Sequence, residues 1–264
     1  MSGDPTAAAA GAAPVLATWP YPRWIAHRGA GKLAPENTLA AFRLGAAHGW
    51  RAFECDVKLS ADGVPFLLHD ATLERTTSGQ GTAGDQPWAA LSRLDAGGWQ
   101  GRQYAGEPLP TLAAVAAFVR ANGYRLNIEI KPTPGTEAVT GRMVAEAAAA
   151  LWAGDAVPPL LSSFRPEALL AAREAAPALP RALLLDTPWP GWFGVAQQLG
   201  CVAVVTNHAW MDAEVLAQLH AAGMKGLVYT VNDPAEADRL LALGIDGIIT
   251  DAVDRFAPAH EHGR

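Results

Sequence analysis

One arrangement recurs along this chain: a short apolar or β-branched run, a loop, an Ala- and Leu-rich segment of helical period, and often a glycine. The apolar runs, which we predict as eight strands, occupy 24–27, 51–57, 126–130, 159–163, 182–185, 202–205, 226–230 and 247–250. The predicted helices occupy 38–48, 111–121, 137–152, 166–175, 192–199, 212–222 and 234–243. Alternating strands and helices imply parallel strands joined by crossover helices. Eight such units favour a closed (β/α)8 barrel over an open dinucleotide-binding sheet, which would carry G-x-G-x-x-G after its first strand.

One interruption breaks this alternation. Only the six residues 58–63 separate the second strand from another apolar run at 64–68, and this is too short for a parallel crossover. Asp62-Gly63 is a hairpin signal, so we expect the second run to return antiparallel. The segment 70–110 is rich in Gly, Thr and Gln and has no long periodic stretch. We therefore predict an α/β fold, a (β/α)8 TIM barrel with a small projecting hairpin arm and an insertion over 70–110 after the second strand.

The length fits one large α/β barrel or two modest domains, and no linker divides the sequence. Of 264 residues, 50% are hydrophobic and 17% are charged, so the chain can bury a sizeable core, which excludes disorder of the whole chain. We place a single domain at 21–257, with a flexible tail at 1–20 and a second tail at 258–264. Cys55 and Cys201 lie in apolar runs and cannot form a disulfide framework, so they do not indicate an oxidising compartment.

The charge balance limits the classes of partner. Lys and Arg number 20 against 26 Asp and Glu, a formal net charge of −6, and no basic run is present. We therefore expect no nucleic-acid partner and no stable membrane association. No apolar stretch reaches the roughly 18 residues of a membrane helix, and residues 1–20 contain no Lys or Arg to begin a secretory signal. The expectation is a cytoplasmic monomer or homodimer that acts on a small molecule.

Polar side chains cluster where the first three predicted strands and the arm end. These clusters are His27-Arg28, Glu54-Cys55-Asp56, His69-Asp70 and Glu129-Ile130-Lys131. Glu54 and Asp56 are two residues apart and share one face of a strand, as do Glu129 and Lys131. Barrel enzymes place their active sites at the C-terminal ends of the strands. We therefore expect these side chains to converge on one third of the barrel mouth.

The predicted cluster favours a particular chemistry. Three carboxylates facing one another repel unless a cation compensates them, and oxygen ligands favour Mg²⁺ or Ca²⁺ over Zn²⁺. Two histidines beside such a site suit general acid–base catalysis. Arg28 and Lys131 indicate an anionic substrate such as a phosphate.

Each piece also has a purely structural interpretation. A Glu-x-Asp pair on a strand is often salt-bridged, Glu129 and Lys131 can simply pair with each other, and a histidine after a strand is often a surface residue. Polar residues that face the interior of a parallel barrel are nevertheless costly unless they are used. Their joint placement therefore favours a functional site. His208, after the sixth strand, is left open as a residue that lines the mouth.

The motifs resemble those of one known family in order and spacing. They are His27-Arg28-Gly29, Pro35-Glu36-Asn37-Thr38, Glu54-Cys55-Asp56-Val57, Asp62-Gly63-Val64-Pro65, Leu68-His69-Asp70, Glu129-Ile130-Lys131, Ser162-Ser163-Phe164, Tyr229-Thr230-Val231-Asn232 and Asp246-Gly247-Ile248-Ile249-Thr250-Asp251. This set, which spans about residues 22–256, resembles the glycerophosphodiester phosphodiesterase family, and most of all its short bacterial cytosolic members. The resemblance implies a metal-dependent barrel that cleaves substrates such as glycerophosphocholine or glycerophosphoethanolamine into glycerol 3-phosphate and an alcohol.

The resemblance also implies a role for each site residue. The implied roles are metal ligation by Glu54, Asp56 and Glu129, acid–base catalysis by His27 and His69, phosphate binding by Arg28 and Lys131, and packing on the glycerol by Phe164 and Tyr229. In the scheme for this family the glycerol 2-hydroxyl attacks phosphorus and water then opens the cyclic phosphate. Family members often carry Trp where Tyr229 stands. Glu36 and Asn37 are interpreted mainly as structural, tying the first loop to the start of the first helix, with a role as ligands the alternative.

Two alternatives remain open at this point. A lysophospholipase D-like reaction on a lysolipid would need an apolar groove near the mouth, for which the insertion offers Trp88, Leu91, Leu94 and Trp99, although these residues are more simply expected to pack on the barrel. A non-catalytic barrel that binds phosphorylated ligands is the other alternative, and the complete set of acids and histidines argues against it.

Overall fold

The computed structural model describes residues 18–256. The predicted tail at 258–264, and all but 18–20 of the predicted tail at 1–20, therefore lie outside the described residues. The proposed domain limits stay a prediction.

The described chain forms a closed barrel of eight parallel strands, as predicted. Seven of them follow one another as neighbours, and the first strand pairs with both the last and the second, which closes the ring. The parallel strands are β1 (Trp24–Ala26), β2 (Ala52–Leu59), β4 (Arg125–Ile130), β5 (Leu160–Ser163), β6 (Arg181–Leu185), β7 (Ala203–Asn207), β8 (Lys225–Tyr229) and β9 (Gly247–Thr250). The remaining strand, β3 (Pro65–Leu67), pairs antiparallel with β2 and confirms the predicted arm.

Helices alternate with the strands around the outside of the barrel. They are α1 (Leu39–Ala47), α2 (Trp88–Leu91), α3 (Leu112–Ala121), α4 (Glu137–Leu151), α5 (Pro166–Ala175), α6 (Trp192–Gln198), α7 (Ala213–Ala221) and α8 (Pro234–Leu243). Their ends follow local chemistry. The side chain of Asp233 accepts hydrogen bonds from the backbone at the start of α8, where Pro234 lacks a donor that would otherwise be unpaired, and Gly244 ends the helix at a φ of 83°.

Alternation along β2 separates a structural side from a functional side. Phe53, Cys55 and Val57 pack outward in the large apolar layer between strands and helices. Glu54 and Asp56 are buried on the opposite face, inside the barrel. A second, smaller apolar cluster fills the rest of the interior with residues such as Ile25, Ala52, Leu160, Leu184 and Leu227. The interior is thus a packed core, and its polar part is confined to particular strand ends.

The insertion carries its own small core. Its apolar side chains pack with Phe66 and Leu68 of the arm, and the buried members are Leu73, Ala83, Leu91, Ala96 and Leu109. Within the described residues, no helix has the length and apolarity needed to cross a membrane.

Candidate active site

The predicted site residues meet in one cavity of about 140 Å³ at the C-terminal ends of the strands. Eight of the nine predicted residues line it, namely His27, Arg28, Glu54, His69, Glu129, Lys131, Phe164 and Tyr229. The ninth, Asp56, is buried behind them and contacts both Arg28 and Lys131. The convergence follows from strand register, since Asp56 and Glu129 are direct neighbours across β2 and β4.

The three carboxylates form a compact, buried group. One oxygen each from Glu54, Asp56 and Glu129 lies within 4.8 Å of the other two. Glu54 Oε1 and Asp56 Oδ1 are buried and accept no hydrogen bond from the described residues. Buried carboxylate oxygens without donors are costly, and hard divalent cations prefer such ligands. The donor set therefore fits a divalent metal.

Burial and mutual repulsion act against ionisation of the three acids. Burial and the charges of Asp56 and Glu129 raise the pKa of Glu54 well above its ordinary value. Burial and Asp56 raise the pKa of Glu129 to about 7, against the opposing effect of Lys131. Burial also disfavours ionised Asp56, but Lys131 and Arg28 outweigh it and hold the pKa of Asp56 below its usual range. The three carboxylates thus oppose one another's ionisation, and a further cation would favour their ionised forms.

Two cations lie against this acidic group. Lys131 Nζ is 2.9 Å from Glu129 Oε1 and 3.4 Å from Asp56 Oδ1. Arg28 Nε is 3.2 Å from Asp56 Oδ2, and the backbone N–H of Arg28, held at a φ of 51°, donates to Glu54 Oε2 at 3.1 Å. Because both cations also line the cavity, they can bind an anion there while they neutralise the acids.

Each histidine of the cavity is oriented by a carboxylate. His27 Nδ1 lies 2.6 Å from Asp251 Oδ1, and its Nε2 lies 3.8 Å from Glu54 Oε2. His69 Nδ1 lies 2.7 Å from Asp70 Oδ1. A carboxylate on Nδ1 fixes the tautomer and leaves Nε2 to exchange a proton with a substrate. Burial lowers the pKa of His69, with Lys131 and Arg28 acting in the same direction and Asp56 and Asp70 opposing.

One wall of the cavity is aromatic. The rings of Phe164 and Tyr229 meet edge to face, with centroids 5.8 Å apart. Lys131 Nζ lies 5.7 Å from the Phe164 centroid, which ties the aromatic wall to the charged one. The Tyr229 hydroxyl donates to the Leu185 carbonyl at 3.3 Å, so the ring has a fixed direction. These rings offer apolar surface to carbon atoms of a bound substrate.

In the first loop, Glu36 and Asn37 contact residues of the site, whereas Thr38 of the same motif contacts the first helix. Asn37, at a φ of 59°, donates to Asp56 Oδ2 at 2.8 Å and accepts from the Asp56 backbone N–H at 3.1 Å. Glu36 accepts from Arg28 Nη1 at 2.9 Å. The cap of α1 is supplied by Thr38. The prediction that Glu36 and Asn37 contact the start of the first helix was therefore wrong. Their side chains contact Arg28 and Asp56 instead.

Two predicted features lie outside the cavity. His208 Nδ1 pairs with Glu236 of α8 at 2.8 Å and does not line the cavity. In the insertion, Leu91 is buried and Trp88 and Leu94 pack against its core, while Trp99 is 42% exposed. None of these residues reaches the cavity lining.

Sequence reasoning missed several residues around the site. Asp251 follows β9, and only barrel closure shows that it lies beside His27. Lys58 is buried on the same face of β2 as Asp56 and donates to the Lys131 carbonyl at 3.0 Å. Burial lowers the pKa of Lys58 to about 8. The period of two along β2 was a signal for Lys58, whereas Arg75, which contacts Asp70 and Glu36, had none.

Known proteins resemble this chain over the part that contains the site residues. The sequence model of the glycerophosphoryl diester phosphodiesterase family matches residues 27–255. A glycerophosphodiester phosphodiesterase of Caldanaerobacter subterraneus is 32% identical over 235 residues, which are 86% of this chain and 93% of the relative. A solved phosphodiesterase of Oleispira antarctica, in complex with the product sn-glycerol-3-phosphate, matches with a TM-score of 0.84 and 36% identity over 89% of this chain and 95% of that chain. A glycerophosphodiester phosphodiesterase of Agrobacterium tumefaciens matches with a TM-score of 0.75 and 29% identity over 89% of this chain and 99% of that chain.

Proposed function

Because the chain belongs to the glycerophosphoryl diester phosphodiesterase family and is an enzyme of that class, we propose that it hydrolyses glycerophosphodiesters such as glycerophosphocholine and glycerophosphoethanolamine. The products are sn-glycerol 3-phosphate, the ligand of the Oleispira relative, and an alcohol. One observation carries the proposal. A single cavity brings together a buried carboxylate group, two cations and two histidines, each histidine held at Nδ1 by an aspartate.

The proposed cofactor is one divalent cation, Mg²⁺ or Ca²⁺, held by Glu54, Asp56 and Glu129. The buried carboxylate oxygens without donors support this assignment, and the oxygen-only donor set favours these ions over zinc. Such a cation lowers the pKa of a hydroxyl bound to it and neutralises charge that develops on a phosphate.

The proposed mechanism assigns the remaining steps to side chains of this chain. Arg28 and Lys131 bind the non-bridging phosphate oxygens, and Phe164 and Tyr229 pack on the glycerol carbons. One histidine takes the proton of the glycerol 2-hydroxyl at Nε2, and that oxygen attacks phosphorus to form a cyclic phosphate. The other histidine gives a proton to the departing alcohol, and water then opens the ring with the roles reversed. Since the substrate supplies the nucleophile, no Ser or Cys nucleophile is needed.

The packing of the insertion supports a glycerophosphodiester over a lysolipid. An acyl chain needs an apolar groove beside the cavity, but Trp88, Leu91 and Leu94 are engaged in the core of the insertion. A cytoplasmic location, a role in glycerol and lipid metabolism and a monomeric or homodimeric state remain part of the proposal.

The function is tested by measuring release of the alcohol by the purified full chain, together with its phosphomonoester partner, which is sn-glycerol 3-phosphate from a glycerophosphodiester and lysophosphatidic acid from a lysolipid. Glycerophosphocholine, glycerophosphoethanolamine and lysophosphatidylcholine would each be supplied with Mg²⁺, with Ca²⁺ and with a chelator. We expect metal-dependent release from the first two substrates and its loss in Glu54→Gln, whereas Glu236→Gln, which changes a carboxylate outside the cavity, retains it. Faster cleavage of the lysolipid would replace the proposed substrate. Absence of release with either metal, from protein shown to be folded, would contradict the proposed function.

A further inference from the structure

One side chain of the insertion joins two separate parts of the catalytic cavity. Arg75 Nε donates to Asp70 Oδ2 at 2.6 Å, and its Nη2 donates to Asp70 Oδ1 at 3.0 Å. The same guanidinium donates to Glu36, from Nη1 to Oε2 at 2.9 Å and from Nη2 to Oε1 at 2.7 Å. Arg75 therefore holds two carboxylates through four hydrogen bonds.

Each of these carboxylates in turn holds a residue of the cavity. Asp70 orients His69 through Nδ1 at 2.7 Å, and Glu36 accepts from Arg28 Nη1 at 2.9 Å. Arg28 belongs to the loop after β1, and His69 follows the arm strand β3. Among the described residues, no other side chain donates hydrogen bonds to both Glu36 and Asp70. Arg75 thus connects two walls of the cavity that otherwise come from different segments.

We propose that Arg75 is a positioning residue that fixes the phosphate-binding Arg28 and the acid–base residue His69 relative to each other across the cavity. This proposal rests on the proposed function, because it assumes that both residues act on one phosphodiester. Proton transfer and phosphate binding both depend on sub-ångström placement, so loss of a shared support lowers the rate even when the fold is kept.

The contacts of Arg75 argue against a merely structural role. Its side chain is 45% exposed, and ion pairs at exposed positions contribute little to stability. The insertion is already held by its buried apolar core. The planar fork of arginine suits two carboxylates at once, whereas the single ammonium of lysine is a point charge that cannot reproduce four directed hydrogen bonds.

The chain offers a matched control for a test of this role. Arg120 of α3 makes a two-point contact with Asp155, at 2.6 and 2.9 Å, and is 38% exposed, but neither residue lines the cavity. We would measure kcat, KM and thermal midpoint for wild type, Arg75→Gln, Arg75→Lys and Arg120→Gln, together with the affinity of each for sn-glycerol 3-phosphate. Loss of supporting contacts around a site typically costs on the order of 10–100-fold, and we expect Arg75→Gln to lose this much in kcat/KM, with weaker product binding. Arg75→Lys should recover only part of the loss, and Arg120→Gln should match wild type in both readouts.

The outcomes separate this proposal from the proposed function. An active wild type with Arg75→Gln kinetically indistinguishable from Arg120→Gln would overturn the role of Arg75 alone. Full activity of Arg75→Lys would also overturn it, since one point charge would then suffice. An inactive wild type would overturn the proposed function and this proposal with it. As a second test, Glu36→Gln combined with Arg75→Gln should cost less than the sum of the single losses, and strict additivity would contradict action through Glu36.

Discussion

At the scale of single residues, the pairing of His27 with Asp251 gives the most direct prediction. Asp251→Asn keeps a polar contact at Nδ1 but removes the charge, and its amide can donate as well as accept there, so it no longer fixes the tautomer. General acid–base catalysis typically contributes on the order of 10²–10⁴-fold in rate, and we expect Asp251→Asn to lose kcat within that range. Thermal midpoint and kcat on glycerophosphocholine would be measured together. The control is Glu236→Gln, which breaks the similar pair with His208 outside the cavity; equal kcat in the two variants would contradict the assignment.

The division of labour between the histidines can be resolved with an activated substrate. A glycerol 3-phosphate ester of p-nitrophenol has a leaving group that needs no proton, so loss of the general acid should matter little for the release of p-nitrophenol in the first turnover, which would be measured by its absorbance. We expect His27→Ala and His69→Ala both to be impaired on glycerophosphocholine, and only one of them to recover on the activated ester. The variant that recovers identifies the acid. Recovery of both, or full activity of either on glycerophosphocholine, would remove the two-histidine scheme.

Sequence patterns predicted the side chains that end neighbouring strands, but not the residues that hold them in place. The sequence alone was enough to predict Glu54, Asp56 and Glu129 as site residues. The period of two along a strand determines which side of the sheet each residue faces, and its place at the strand end determines its level along the barrel axis. Asp251 could be paired with His27 only once closure had brought β9 against β1. Arg75 depends on how an insertion without periodic pattern folds back over the first loop.

At the scale of elements, the helices and strands predicted correctly are those whose ends are marked by residues with a clear local preference. Helix α8 was predicted at 234–243 and is found at Pro234–Leu243, because Asp233-Pro234 and Gly244 mark both of its ends. The arm was predicted from Asp62-Gly63, and the structure places Val57 opposite Leu67 in that hairpin. The short helix α2 and the isolated bridges of the insertion were not predicted, since they depend on its apolar core rather than on a repeat.

The insertion should behave as a support of the cavity. Leu91 is fully buried in the core of the insertion, and Leu216 of α7 is 3% exposed in the outer layer of the barrel. Truncation of a buried leucine to alanine typically costs about 2–5 kcal/mol, so Leu91→Ala and Leu216→Ala form a pair of comparable cost. At a temperature where both variants are folded, we expect Leu91→Ala to lose more activity, because it loosens the segment that carries Arg75. The check is kcat against folded fraction by circular dichroism, and equal activity per folded molecule would contradict a supporting role for the insertion.

At the scale of the whole molecule, the buried acids at one end of the barrel lower the stability of the fold when Glu54 and Glu129 are ionised. The apolar layer between strands and helices, together with the interior cluster, holds the fold together. Ionisation of Glu54 and of Glu129 opposes folding, since burial raises the pKa of both in the folded state. A cation bound by the carboxylates reverses this contribution, because it favours the ionised acids.

The raised pKa of Glu129 determines the direction in which the free energy of unfolding changes with pH when no metal is bound. Between the ordinary carboxyl pKa of about 4.3 and the pKa of about 7 for Glu129, this one carboxyl holds more proton in the folded protein than in the unfolded chain. The contribution of Glu129 to the free energy of unfolding is therefore full below the lower value and is lost as pH rises through the upper one. In chelator, we expect wild type to lose stability relative to Glu129→Gln between pH 5 and 8. Urea unfolding of both proteins across this range would measure the difference.

Added Mg²⁺ or Ca²⁺ should raise the thermal midpoint of wild type more at pH 8 than at pH 6, because protons compete with the cation for the carboxylates. Glu129→Gln should be at least as stable as wild type in chelator at pH 8, and its midpoint should respond little to either ion. Asp246, outside the cavity, provides a control of opposite sign, since the hydrogen bonds from Lys225, His220 and the Gly226 N–H outweigh burial and lower its pKa. Its stabilising effect is present above the unfolded pKa and is lost as pH falls through the lower folded value, so Asp246→Asn should destabilise at pH 8 and still respond to metal. A metal response in Glu129→Gln equal to that of wild type would place the cation elsewhere.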